Sequence, residues 1–288
     1  MVWLIGCRGM LGQQTALELQ KNDIPFEGTD IETDITDIEA LRGFAEGKNI
    51  SWIINCSAYT AVDKAESEED KAYRINADGA GNIAKVADEL GAKFIHFSTD
   101  YVFDGTKEGE YQESDPVNPV SAYGRTKLAG EEKLKSGTDR YFIFRISWLY
   151  GVYGPNFVKT MVRLFNERDT LGIVSDQKGA PTYAGTLAEN IVKLIKSGSD
   201  AYGTYHYSDG GRISWYNFAV EINKQAVSKG LCKAGVTLNA ITADQYPTPA
   251  KRPANSSFDR SRAKRLGFVI NQWEDNLERY FNELEKIQ

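Results

Sequence analysis

The chain has 288 residues, 41% hydrophobic and 26% charged, with a formal net charge of −6. That length buries a full-sized core and excludes a miniature stapled fold. The acidic balance excludes a nucleic-acid partner, for which Lys and Arg must offset phosphates, and no apolar run approaches the ~20 residues that cross a bilayer, so no membrane partner is expected.

Cys7, Cys56 and Cys232 are odd in number and widely spaced, which fits reduced thiols better than a disulfide framework. With His96 and His206 the only histidines, and no close Cys or His pairs, no metal site is expected. Met1 leads straight into an apolar stretch without a basic leader, which predicts an unexported, cytoplasmic protein.

The first apolar run, Val2–Ile5, has the length of a buried parallel strand. Gly6-Cys7-Arg8-Gly9-Met10-Leu11-Gly12 follows it and precedes helix-period spacing over 13–20. Glycines placed there let the chain turn tightly, bring backbone N–H groups against a pyrophosphate and aim a helix N-terminus at its charge. The spacing is G-x-x-G-x-x-G rather than the commoner G-x-G-x-x-G, and glycines also serve ordinary turns. The position between strand and helix is what points to a dinucleotide. Asp30, about 20 residues beyond the loop, can accept from a ribose hydroxyl and would disfavour a 2′-phosphate. Arg8 can pair with that phosphate, so NADPH and NADH both fit.

Further short runs at Trp52–Asn55, 94–97 and Tyr141–Ile146 alternate with helical patterns such as 76–90. Alternating βα units predict an α/β fold with a doubly wound parallel sheet of the Rossmann type. Ser98-Thr99-Asp100-Tyr101 lies at the carboxyl end of the run 94–97. Sites in open α/β sheets gather there, so the Thr99 hydroxyl is placed to hydrogen-bond a substrate carbonyl or, more simply, to cap a turn.

Ser121-Ala122-Tyr123-Gly124-Arg125-Thr126-Lys127 opens another helical stretch, with Tyr123 and Lys127 on one face at i, i+4. A phenol titrates near ~10, and a neighbouring ammonium favours its ionised form. Lys127 is therefore expected to lower the Tyr123 pKa and to hold the nicotinamide ribose. Spacing alone favours an exposed helical Tyr and Lys; Thr99 one strand earlier turns the balance.

Beyond Tyr150 the pattern loosens. Gly151, Gly154 and Pro155 make a break, a helical stretch covers 157–165, and Gly179-Ala180-Pro181 breaks the chain again. Helical spacing at 186–196 and a strand at Gly203–Tyr207 suggest that the sheet resumes, and helices are expected at 215–225 and 273–285. The expected organisation is a dinucleotide-binding domain over 1–150, extended by 180–208, with a smaller C-terminal lobe from 151–179 and 209–288.

Several strings together resemble one family. They are Gly6–Gly12, Asn55-Cys56-Ser57-Ala58-Tyr59-Thr60-Ala61-Val62-Asp63-Lys64-Ala65-Glu66, Ser98-Thr99-Asp100-Tyr101-Val102-Phe103-Asp104-Gly105 and Tyr123–Lys127. Arg145-Ile146-Ser147-Trp148-Leu149-Tyr150-Gly151, Asp176-Gln177-Lys178-Gly179-Ala180-Pro181-Thr182 and Lys251-Arg252-Pro253-Ala254-Asn255-Ser256 extend the likeness over nearly the whole chain. The sequence thus resembles the dTDP-4-dehydrorhamnose reductase family of extended short-chain dehydrogenases/reductases.

The resemblance implies NAD(P)H-dependent reduction of a dTDP-4-keto sugar. It implies that Gly9, Met10 and Leu11 line the pyrophosphate, with Gly6, Arg8 and Gly12 of the same loop also at the cofactor, that Asp30, Asp34 and Ile35 approach the adenosine half, and that Ala58, Tyr59 and Thr60 border the cofactor. Thr99, Tyr123 and Lys127 would be the catalytic set, with Tyr123 and Lys127 also touching cofactor. Asp100, Tyr101, Trp148, Asn156, Phe157 and Arg252 would face the substrate. Some relatives pair through a divalent metal held partly by a carboxylate on the first helix. Gln13-Gln14 stands here, and an amide is a poorer ligand for a hard cation, so a monomer or weak homodimer is expected. Epimerases and dehydratases of nucleotide sugars share the fold and the Tyr/Lys pair, and a non-catalytic regulatory subunit of methionine adenosyltransferase is similar to the family.

Overall fold

A computed structural model describes residues 1–287. Strand β1 (Val2–Ile5) is wholly buried and feeds helix α1 (Met10–Lys21). Two elements then appear that the apolar pattern does not announce. Strand β2 (Phe26–Thr29) lies at the sheet edge, with two exposed residues and little hydrophobic signal. Helix α2 (Ile38–Ala45) starts where the Asp37 carboxylate accepts from the Glu39 and Ala40 N–H groups.

Strand β3 (Trp52–Asn55) is followed by the short helices α3 (Val62–Ala65) and α4 (Glu69–Tyr73). The helical spacing expected over 76–90 is realised with a difference: Arg74–Gly79 winds as a π-helix, and regular α5 (Ala80–Leu90) begins after it. Strand β4 (Lys93–Thr99), helix α6 (Ala122–Gly137) and strand β5 (Tyr141–Ile146) complete the first half.

The second half contributes β6 (Leu149–Tyr150), α7 (Phe157–Glu167), β7 (Thr170–Val174), β8 (Lys178–Gly179) and β9 (Thr182–Tyr183). Then come α8 (Ala184–Ser197), β10 (Gly203–Tyr207), β11 (Ile213–Ser214), α9 (Trp215–Ser228), β12 (Thr237–Ile241), α10 (Ser261–Arg265) and α11 (Trp273–Ile287). None of these helices is long and apolar enough to cross a membrane.

The central sheet is six-stranded and parallel, in the order β10-β5-β4-β3-β1-β2. The sheet resumes at Gly203–Tyr207, as expected, by pairing with β5. Period-two alternation explains its two cores. Leu4, Ile54, Ile95 and Phe144 face α1 and α8 on one side, while Trp3, Ile53, Phe94 and Ile143 face α2, α5 and α6 on the other. Cover on both faces is why these strands read as continuous apolar runs. A third core gathers Tyr150, Phe165, Phe218, Leu277 and Tyr280 among α7, α9 and α11.

Strand order reverses between β1 and β3. In an open parallel sheet, the crevice beyond the carboxyl ends at that reversal takes the ligand.

Candidate active site

At the β1 end the cradle is made of backbone. Gly6 has φ +75°, and a Cβ there would come within 2.6 Å of the Ser57 nitrogen. A Cβ on Gly12 would lie 2.0 Å from the Gly6 carbonyl oxygen. Only glycine allows this packing of the β1 loop against α1 and the β3 loop. Gly9 caps α1 without a side-chain hydrogen bond, leaving the first-turn N–H groups of Met10 and Leu11 for an anion. These residues fit the pyrophosphate of a dinucleotide.

Asp30 meets the loop from the end of β2, accepting from the Arg8 N–H at 2.9 Å. The Arg8 guanidinium reaches Glu32 at 2.5 Å, with Asp30 3.6 Å away. Sequence reading missed Glu32, whose part shows only once Arg8 is placed between two acids. Asp34 folds back on Thr36, accepting from its N–H and hydroxyl at 2.8 Å each, while Ile35 is buried against Gly79.

Ala58, Tyr59 and Thr60 leave the end of β3 beside the glycine loop. Their backbone is held by Asn76 in the π-helix, which accepts from Tyr59 N at 2.8 Å and donates to Tyr59 O and the Thr126 hydroxyl at 3.1 Å each. Wide turns of this kind recur near functional sites. Asn76 was not foreseen because its partners lie 17 and 50 residues away.

At the β4 end the material is side chains. Thr99 is the last residue of β4, and its hydroxyl donates to Asp100 at 2.9 Å and accepts from Tyr101 N at 3.2 Å. Its capping role is therefore real, but the same hydroxyl also adjoins the Tyr123 phenol. Burial lifts the Asp100 carboxyl to about 6, against hydrogen bonds from Ser256 and Thr99, and its Oδ2 has no hydrogen-bond partner among the described residues. Tyr101 meets Tyr123 edge to face at 5.4 Å. Helix α6 brings Tyr123 here through Ser121, whose hydroxyl accepts from Gly124 N, and Glu66, which accepts from Ala122 N at 2.8 Å.

Lys127 departs from expectation. Its ammonium does not lower the Tyr123 pKa: burial, followed by the Asp100 charge, holds that phenol above its ordinary value. Lys127 instead points into β4, with Nζ 2.6 Å from Phe97 O and 3.3 Å from His96 Nε2. Its side chain is buried, and burial, offset in part by Glu131, lowers its pKa to about 8. One turn further along α6, buried Glu131 accepts from Arg145 Nε and Nη2, at 2.9 and 2.8 Å, and from the Ser98 hydroxyl at 2.6 Å.

The remaining candidates lie toward the third core. Trp148 has φ +48°, unusual for a bulky residue, and stacks on Trp215 at 3.7 Å. Phe157 packs against the same Trp215 at 4.6 Å, so Trp215 belongs to this aromatic layer although nothing local in the sequence marks it. Asn156 is occupied in capping α7 and in donating to Gly151 O at 2.7 Å. Arg252 pairs with Asp63 at 2.9 Å, and its charge reaches Tyr101. It thereby joins the Ala61–Glu66 string to the β4 end. Gln14 is buried and donates to Glu283 on α11 at 3.0 Å.

Known proteins share this fold. The family described as the RmlD substrate binding domain matches residues 1–286. A dTDP-4-dehydrorhamnose reductase from Salmonella typhimurium strain LT2 is 38% identical, over 98% of this chain and 97% of its own. A solved dTDP-4-dehydrorhamnose reductase from Clostridium acetobutylicum superposes with TM-score 0.92 at 39% identity, covering 99% of both chains. Another from Bacillus anthracis, in complex with NADP, superposes with TM-score 0.91 at 40% identity, covering 98% of both. By the extent of these matches, the chain belongs to the dTDP-4-dehydrorhamnose reductase family.

Proposed function

We propose that this enzyme uses NADPH, with NADH as an alternative donor, to reduce the C4 keto group of dTDP-4-dehydro-L-rhamnose and release dTDP-L-rhamnose. The observation that carries the assignment is the convergence of Thr99, Asp100 and Tyr123 beyond β4, with Lys127 buried behind them.

The bound dinucleotide supplies the hydride. Tyr123, kept protonated by burial and by Asp100, donates its phenolic proton to the developing alkoxide, and general-acid help of this kind contributes about 10²- to 10⁴-fold. Thr99 orients the same oxygen. Lys127 holds the nicotinamide ribose and restores the proton on the Tyr123 side. The β1 loop, Asp30, Asp34 and Ile35, and the Ala58–Thr60 backbone take the dinucleotide. Trp148 gives the sugar an apolar face, and Arg252, sharing its charge with Asp63, meets the diphosphate. Asn156 and Phe157 support that side by fixing the start of α7 and the Trp215 layer.

Residues 1–150 with 180–208 hold the cofactor in this scheme, and 151–179 with 209–288 hold the sugar nucleotide. We further propose a cytoplasmic monomer or weak homodimer, since Gln14 is engaged by Glu283 of its own chain.

The test is absorbance of NADPH with the purified chain and the keto sugar. Mole-for-mole oxidation is expected. An epimerase or dehydratase would turn over without net oxidation, and a regulatory subunit would bind NADPH and leave it unchanged.

A further inference from the structure

His96 interrupts an otherwise apolar run in the middle of β4 and is 1% exposed. Its neighbour on β3 is Asn55, paired with it in register. The orientation of the Asn55 amide is settled by Ser57: the Ser57 backbone N–H, which can only donate, lies 2.9 Å from Asn55 Oδ1, and the Ser57 hydroxyl is 2.5 Å from the same oxygen. Asn55 Nδ2 therefore donates to His96 Nδ1, 3.2 Å away.

A neutral imidazole has one bare nitrogen and one N–H. Burial, and then Lys127, keep His96 neutral by pushing its pKa well below the usual range. With Nδ1 accepting, the proton sits on Nε2, which faces Lys127 Nζ at 3.3 Å. An ammonium has no lone pair to receive that N–H. An amine does, and it can still donate to Phe97 O at 2.6 Å.

We propose that Asn55 and His96 are positioning residues that make the Lys127 ammonium a readier proton donor by aiming an oriented Nε2–H at it. The ammonium meets an N–H there instead of an acceptor, so it gives up its proton more readily. The other groups around Lys127 act differently. Tyr123 lies a turn before it on α6, and Thr99 and Asp100 end β4. Glu131 on α6 favours the ammonium but is occupied by Arg145 from β5 and by Ser98.

The inference rests on Lys127 belonging to the catalytic set, but its test needs no turnover. In the cofactor-free full chain, the side-chain ¹³Cε signal of Lys127, assigned by its loss in Lys127→Met, should titrate near 8. His96→Gln keeps an acceptor for Asn55 and a donor for Lys127, and should leave the midpoint in place. His96→Leu removes the donor and should move the midpoint up by about one unit, with the corresponding limb of the pH–rate profile moving the same way. A midpoint unmoved by His96→Leu, or moved equally by His96→Gln, overturns the proposal. The ¹⁵N shifts of the His96 ring in the unmutated protein give a second reading: a proton on Nε2 supports it, and a proton on Nδ1 overturns it even if a variant fails to fold. Full activity of Tyr123→Phe would instead remove the catalytic assignment while leaving this titration intact.

Discussion

The carboxyl ends of β1 and β4 lie in one parallel sheet, with β3 between them, and are built of opposite materials. At β1 the cradle is backbone, with Gly6, Gly9 and Gly12 contributing shape and the first turn of α1 contributing the Met10 and Leu11 N–H groups. At β4 Thr99, Asp100, Tyr123, Lys127 and His96 bring hydroxyls and ionisable groups into a place with little water, and their protonation is set by what surrounds them. A backbone cradle is specified by local spacing, whereas a side-chain centre is assembled from β3, β4, β5 and α6.

Four substitutions break or sharpen that contrast. Glu131→Gln leaves the buried Arg145 charge without its partner behind the β4 end. Losing one member of a buried ion pair costs about 3–5 kcal/mol, so denaturant unfolding should show the largest loss here. Gly12→Ala acts on backbone alone. Its Cβ meets the Gly6 carbonyl oxygen at 2.0 Å, so a loss of about 3 kcal/mol and of dinucleotide binding is expected by unfolding and calorimetry.

Asp100→Asn tests the electrostatic character of the β4 end. Folding raises this carboxyl from 3.8 to about 6. The ionised form is the disfavoured one, so the native state carries no penalty below the unfolded value and loses stability as pH rises through 6. The variant should match the unsubstituted protein in Tm near pH 4 and exceed it by a few degrees at pH 7; equal Tm at both pH values would contradict the assigned burial. The smallest effect on stability belongs to Glu32→Gln at the exposed rim of the β1 end. Tm should not move, but Arg8 is released toward a 2′-phosphate, so the ratio of kcat/KM for NADPH over NADH should rise.

The same contrast explains what is legible in the sequence. Val2–Ile5, Trp52–Asn55 and Tyr141–Ile146 are strands with the expected bounds because each is a short apolar run packed on both faces, and Gly203–Tyr207 keeps its expected bounds as the edge strand opposite β2. β2 escaped notice because an edge strand reading Phe-Glu-Gly-Thr carries almost no such signal. The glycine loop, Thr99, Tyr123 and Lys127 could be named from motifs. The direction of the Lys127 side chain could not: it depends on a carbonyl and an imidazole 30 and 31 residues away, which spacing within α6 does not encode. The roles of Asn55, Asn76, His96 and Trp215 were not legible for the same reason, since these are polar or aromatic residues whose meaning comes from partners on other elements.

The central claim is that reduction depends on the Tyr123 phenol at the end of β4. Its most direct test is the kcat of Tyr123→Phe with NADPH and the keto sugar, measured beside the Kd for NADPH. The account predicts a kcat lowered by about 10²- to 10⁴-fold with the Kd essentially unchanged. A kcat close to that of the unsubstituted enzyme, at the same Kd, would contradict it.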